Sequence, residues 1–200
     1  LETTGLGKRY RRDWALTDCT LVVPAGRITA LVGPNGAGKT TLLLLAMGLA
    51  TPTAGAIEVL GIRPAIISRE LIARVGFIAQ DHPLYRSFSV DDTLHLARNL
   101  SPRWDGASAR RRIAELEIPL DRRVGQLSGG QQAQVALAVA LGRRPELMLL
   151  DEPLASLDPL AREEFLRILL DAVVADGLTV VLSSHVISEL ELVCDHLILL

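Results

Sequence analysis

Cysteine is nearly absent, with Cys19 and Cys194 alone among 200 residues. The two stand far apart among aliphatic neighbours. That excludes a disulfide-dense scaffold and a cysteine-ligated metal centre, and it reads as buried free thiols in a reducing compartment. The four histidines likewise lack metal-ligand spacing. Long hydrophobic runs are missing too. LLLLAMGLA at 42–50 stops far short of the roughly 20 residues that a spanning helix needs, so the mean hydropathy of +0.31 reflects apolar residues spread along the chain. Neither sign of charge dominates. A net charge of −2 and a pI near 6.1 give no general pull toward nucleic acid or anionic lipid, and Arg110, Arg111 and Arg112 read as a solvated helix face. No secretion-signal pattern opens the chain, which begins at Leu1 and stops at HLILL inside a strand-like run. It therefore reads as a fragment, with room for a membrane segment beyond either end.

What is present is a hydrophobic fraction of 49%, enough for one compact domain over residues 1–200 with a real core. Four short continuous apolar runs, RITALVG, RVGFIAQ, ELMLLDE and LTVVLSS, look like strands buried on both faces, and helical patterns separate several of them. Such a rhythm belongs to a parallel α/β sheet. The pattern changes after Asp81. SVDDTLHLARNL and ASARRRIAELEI read as amphipathic helices around an SPRWDG turn, with Ser89 placed to cap the first. This places an inserted helical subdomain at about 81–140. Residues 1–27, with ALTDCTLVV and a Pro-Ala-Gly turn, read as antiparallel strands beside the main sheet. The fold class is therefore α/β: a mostly parallel sheet flanked by helices, with an N-terminal antiparallel β subdomain.

Two stretches suit phosphate. In GPNGAGKT, Gly33, Gly38, Lys39 and Thr40 fit G-x-x-x-x-G-K-[ST] between a predicted strand and a predicted helix. The glycines let backbone N–H groups approach phosphate oxygens, Lys39 supplies positive charge to the β- and γ-phosphates, and the Thr40 hydroxyl is a ligand for Mg²⁺. The second stretch is LSGGQQAQVALAVAL, Leu127 to Leu141, where a serine and two glycines open an alanine-rich helical run. Bare N–H groups at the positive end of a helix dipole make an anion site there as well. A third stretch, LMLLDEP, ends a buried strand in adjacent carboxylates that strand geometry sends in different directions. Asp151 is placed to hold Mg²⁺ indirectly, while Glu152 faces water, to accept a proton from, or to orient, the molecule that attacks the γ-phosphate.

In this order the motifs resemble the nucleotide-binding domain of an ATP-binding cassette (ABC) transporter, over nearly the whole chain. The fold implied is of the P-loop NTPase type. By that resemblance Gly33, Pro34, Asn35, Gly36, Ala37, Gly38, Lys39, Thr40 and Thr41 form the Walker A loop around ATP. Tyr10 stacks on adenine, with Trp14 a nearby competitor and core packing the other reading of either ring. Gln80, the Q-loop glutamine, reaches Mg²⁺ and the attacking water, so that Thr40, Gln80 and Asp151 form the metal set. Asp158 in SLD is the D-loop aspartate and also a natural N-cap before Pro159. His185 in SSH is the switch histidine that contacts the γ-phosphate beside the catalytic Glu152.

The resemblance also explains the second phosphate grip. In this family two domains pair head to tail, and Ser128, Gly129, Gly130 and Gln131 of one contact the ATP held by the other. The implied partners are a second ABC ATPase domain, identical or related, and transmembrane permease subunits; no nucleic-acid partner is expected. The implied place is cytoplasmic, on the inner face of the membrane through the permease. The function implied is ATP hydrolysis that powers a transporter, of exporter type by the tail TVVLSSHVISELELVCDHLILL and the NLSPRW stretch. The alternative is a non-transport ABC ATPase of translation or of DNA repair and chromosome organisation, whose nucleotide chemistry is identical. One departure stands out: Gln132, Ala133, Gln134 and Val139 occupy the positions after the signature where many members carry arginine.

Overall fold

The computed structural model describes residues 1–64, 68–81, 84–155, 157–186, 190 and 193–200. The chain opens with β1 (Glu2–Tyr10) and β2 (Asp13–Val22), followed by β3 (Ile28–Val32), which runs through a glycine-rich loop into α1 (Lys39–Ala46). Next come β4 (Ala54–Glu58), the short α2 (Arg69–Arg74) and β5 (Val75–Ile78). Three helices follow: α3 (Val90–Leu100), α4 (Gly106–Glu115) and α5 (Gly129–Gly142). The chain then alternates β6 (Leu147–Leu150), α6 (Pro159–Asp176) and β7 (Thr179–Ser184), and reaches β8 (His196–Leu199).

Two sheets result. β5-β6-β7-β3-β8 is wholly parallel, and β2-β1-β4 is antiparallel. β3, β6 and β7 are buried at every residue, as their continuous apolar sequences require. Their side chains alternate between two cores. Ala30, Val32, Met148, Leu150, Val180 and Leu182 pack with Phe165, Leu169 and Leu137 of α6 and α5, whereas Leu31, Leu147, Leu149 and Val181 pack with Leu43 of α1 and Leu6 of β1. The period of two along each strand thus builds a three-layer domain with the antiparallel sheet on one side.

A third cluster lies apart from these two. Val90 of α3, Ile113 of α4, and Val135 and Ala138 of α5 meet around Ile118 and Leu127. Helix α5 also feeds the first core through Ala133, Leu137 and Leu141, so it is apolar nearly all round, and its alanines allow neighbours on two sides to approach. The helix starts are fixed locally. Ser89 and Asp92 form a reciprocal capping box on α3, and Asp158 caps α6 by accepting from Ala161 N–H at 2.9 Å. Gly177 ends α6 at φ 65, a left-handed stop that glycine adopts without a Cβ penalty.

The strands and the helices on either side of SPRWDG form where the sequence places them, but two elements escape its periodicity. β4 reads AGAIE, and Gly55 at φ 68 lies so near Gly5 that an added Cβ would sit 2.1 Å from its carbonyl oxygen. α2 is only six residues long. The two thiols also differ from the expectation of joint burial: Cys19 is buried and Cys194 is half-buried.

Glu146, just before β6, ties the layers at the end of the sheet remote from the glycine loop. It accepts from Arg74 of α2 at 3.0 and 2.7 Å and from Arg103, between α3 and α4, at 2.7 Å. These guanidinium contacts hold its carboxyl at about 2, against an ordinary value of 4.5. A depressed carboxylate pKa adds stability that is complete above the unfolded value and disappears as pH falls through the folded one. Glu146→Gln is therefore expected to lower the melting temperature at pH 7, with the gap to wild type closing between pH 4.5 and about 2. Thermal melts across that range check it.

Candidate functional site

The glycine loop at the end of β3 owes its path to two close approaches. Gly38 sits at φ 96, and a Cβ there would lie 2.4 Å from the Ala15 carbonyl oxygen of β2. Gly36 sits at φ 87, again outside the range that side chains favour. The loop delivers α1 with Gly38 as its N-cap and no side-chain cap, so the first N–H groups of the helix remain for a ligand. Lys39 folds back over the loop. Its Nζ donates to the Gly33 carbonyl at 2.7 Å and to the Pro34 carbonyl at 3.2 Å, and the side chain is only 6% exposed.

Two carboxylates, Asp151 and Glu152, directly follow β6. Both are buried, Asp151 at 3% and Glu152 at 8% exposure. The cause is the backbone at Glu152, which takes φ 46, a left-handed conformation that costs energy for a residue with a Cβ. Its carboxylate thereby lies 3.3 Å from Lys39 Nζ through Oε1 and 2.9 Å from His185 Nδ1 through Oε2. Asp151 is held differently: Ser183 Oγ donates to its Oδ1 at 2.8 Å and accepts from the Glu152 N–H at 2.9 Å. Ser183, fully buried in β7, is a residue that sequence reading passed over. Its signal was the pair of hydroxyls ending an apolar strand next to His185.

These groups open on a cavity of about 370 Å³. Asn35, Gly36, Gly38, Lys39, Thr40 and Thr41 form its floor, and Gln80, Glu152 and His185 close one side. Tyr10 and Ala15 line another part. Trp14 belongs to a neighbouring cleft instead, its ring packed near Gly7, so the structure brings Tyr10 and not Trp14 to the cavity. Lys8 Nζ stands 5.0 Å from the Tyr10 ring centroid. The donor set fits a polyphosphate: an open helix N-terminus, a buried ammonium, and a loop whose backbone no Cβ obstructs. It also fits Mg²⁺ held largely by phosphate and water, because Thr40 and Gln80 offer oxygens there, whereas no cluster of three metal-binding side chains occurs among the described residues.

The signature stretch lies elsewhere. Helix α5 begins at Gly129, and none of Ser128, Gly129, Gly130 or Gln131 lines the cavity. The helix start carries a side-chain cap that the sequence reading did not name. Ser128 Oγ accepts from the Gln131 N–H at 3.2 Å, and Gln131 Oε1 accepts from the Ser128 N–H at 3.1 Å. This is a capping box, and Ser-x-x-Gln was its legible signal. Ser128 and Gly129 remain exposed, while Gly130 is buried where an added Cβ would lie 2.7 Å from Ala161 Cβ of α6. Gln134, at a position where arginine was the family expectation, is buried and donates through Nε2 to Glu164 of α6. Asp158 is exposed at the N-terminus of α6 and lies outside the cavity lining, as does Asp151; Ser156 of the SLD stretch falls outside the described residues.

Residues 16–155 match the family described as ABC transporter. Nod factor export ATP-binding protein I of Rhizobium sp. (strain N33) is 35% identical over all of this chain, which spans 67% of that protein's length. Lipoprotein-releasing system ATP-binding protein LolD 1 of Rhodospirillum rubrum is 40% identical, with 85% of this chain and 80% of the relative covered. Among solved structures, the dimeric MJ0796, a bacterial ABC transporter cassette, superimposes with a TM-score of 0.86 at 26% identity over 100% of this chain and 93% of its own.

The cavity lining separates the two aromatic candidates by experiment. Stacking of a base on an aromatic ring contributes about 1–3 kcal/mol. Tyr10→Ala is expected to raise the ATP dissociation constant about tenfold, and Trp14→Ala to leave it within about twofold. Calorimetric titration measures both, and a larger loss from Trp14→Ala would contradict the assignment.

Proposed function

The chain belongs to the ABC transporter family as an ATP-binding and hydrolysing subunit, and from that premise we propose that it powers export by closing around ATP head to tail with a second ATPase subunit. The observation that carries this reading is the separation of the two phosphate grips. The cavity has a floor and one wall but receives nothing from Ser128, Gly129, Gly130 or Gln131, whose exposed members are available to another subunit's nucleotide. Burial between two such surfaces excludes water and strengthens both sets of contacts. The dimeric state of MJ0796 supports the pairing, and the export and release functions named for the two curated relatives support the direction of transport.

In this reading Gly33, Pro34, Asn35, Gly36, Ala37, Gly38, Lys39, Thr40 and Thr41 hold the triphosphate, and Tyr10 stacks on adenine. Thr40 and Gln80 would hold Mg²⁺, with Asp151, fixed by Ser183, supporting it indirectly, and the ion would neutralise charge on the β- and γ-phosphates. Lys39 leaves the Gly33 and Pro34 carbonyls and Glu152 for the phosphates, which frees Glu152 to accept a proton from water. His185 fixes the Glu152 carboxylate and reaches toward the γ-phosphate. Asp158 works at the subunit junction from the start of α6.

The segment at about 81–140 acts as the moving helical subdomain, supported by its separate core. At its seam with the rest of the chain an apolar cavity of about 440 Å³ is lined by Ile72, Leu84, Tyr85, Leu96, Leu100 and Val139. Tyr85 is 64% and Leu100 71% exposed. Such a contiguous apolar patch suits a segment of a permease subunit. In this reading attachment at the inner face goes through that partner; no described helix is long and apolar enough to cross a membrane.

Removal of the proton acceptor tests both chemistry and assembly. Glu152→Gln is expected to keep ATP binding, to lower turnover about 10²- to 10⁴-fold, and to convert from monomer to dimer in light scattering only when MgATP is added. Normal hydrolysis by this variant sinks the proton-acceptor role, and a persistent monomer that binds MgATP argues against pairing through the nucleotide.

A further inference from the structure

A second polar cavity, of about 300 Å³, opens between α3 and α4, and it is lined by Leu94, His95, Arg98, Trp104, Gly106 and Arg110. Every titratable side chain in that lining is basic. Asp91, in the first turn of α3, ion-pairs with Arg110 and lies 3.4 Å from His95 Nδ1, so one carboxylate serves two basic groups. Arg98 has no acidic partner among the described residues. Asp92, the other nearby carboxylate, is committed to Ser89, from whose N–H and hydroxyl it accepts at 3.0 and 2.7 Å. Asp105 is committed as well, to Ser108 N–H at 2.9 Å and to Arg144 at 3.1 Å.

The cavity is also shaped. The six-membered ring of Trp104 packs where a Cβ on Gly142 would lie 2.7 Å from it, and its pyrrole edge approaches Gly106, where an added Cβ would lie 2.8 Å from Nε1. The indole is thereby wedged between the N-terminus of α4 and the C-terminus of α5. Its N–H has no hydrogen-bond partner among the described residues, and Trp104 lines the cavity. Two arginines, the Trp104 indole and Gly106 thus line one cavity together with Leu94.

We propose that this cavity between α3 and α4 binds a small phosphorylated anion through Arg98, Arg110 and the Trp104 indole N–H. Guanidinium forks match phosphate oxygens in shape and charge, and the one arginine that Asp91 leaves unneutralised gives the cavity a net positive charge for an anion to meet. The neutral indole donor adds direction without charge. Phosphate esters reach such a site either on a soluble metabolite or on a lipid headgroup, and the two sources present the same group. This cavity is separate from the nucleotide site and independent of the export reading.

The chain contains two tryptophans, so a Trp14→Phe variant leaves Trp104 as the one indole reporter. With the nucleotide site saturated by MgADP, glycerol phosphate is titrated against Trp104 emission, with sodium chloride at matched ionic strength as control. The expected result is a saturable change that chloride does not reproduce, weakened at least tenfold by Arg98→Gln and partly restored by Arg98→Lys, with unchanged melting temperature and ATPase rate. Co-sedimentation with phosphatidic acid vesicles, compared with phosphatidylcholine and repeated with Arg98→Gln, identifies the lipid source if the soluble ester gives no change. Absence of both signals, or signals that Arg98→Gln leaves intact, overturns the proposal.

Discussion

A lysine ammonium with 6% of its side chain exposed is the constraint on which the rest of the site depends. A charge taken that far from water must be met by several acceptors at once, and removing one leaves the others overdrawn. Here they come from the loop after β3 and from the end of β6: two carbonyls and the Glu152 carboxylate. β7, which lies between those strands, adds Ser183 and His185 to hold the two carboxylates. Because all these strands run parallel, their C-terminal ends share one edge of the sheet, where ligands of open α/β sheets bind.

The ion pair between Lys39 Nζ and Glu152 Oε1, at 3.3 Å, ties the glycine loop directly to the end of β6. Helix α5 carries the other half of the account. Its start is already ordered by the Ser128–Gln131 box, so the proposed partner would meet a preformed surface. Gly130 under Ala161 and Gln134 on Glu164 fasten that surface to α6, which begins at Asp158. The Gln134–Glu164 hydrogen bond takes over a position where the family resemblance led us to expect arginine, and it keeps α5 and α6 joined without a second buried cation.

Much of this was legible in the sequence, for identifiable reasons. Continuous apolar runs marked β3, β5, β6 and β7 because burial on both faces removes any polar alternation. Gly38 and Lys39 were readable because the loop chemistry tolerates few other residues, and Ser89 and Asp158 because caps need a short acceptor side chain. By contrast, β4 has too few side chains and α2 too few turns to establish a period. Burial of Glu152 depends on one backbone dihedral and on two residues, Lys39 and His185, more than 30 positions away, which local pattern does not report. Ser183 was hidden for the same reason. The capping box at Ser128 was readable, but the two glycines drew attention to bare N–H groups instead.

The most direct test of the shared nucleotide site is complementation between two inactive variants. Lys39→Ala destroys the phosphate loop and keeps the signature; Ser128→Arg destroys the signature and keeps the loop. A head-to-tail pair of the two has one intact site, formed by the loop of the Ser128→Arg subunit and the signature of the Lys39→Ala subunit. ATP hydrolysis is measured for each variant and for the mixture at equal total protein. Activity of the mixture well above the sum of the separate variants is the result this account predicts. A mixture no more active than that sum, with mixed dimers present in solution, would contradict it.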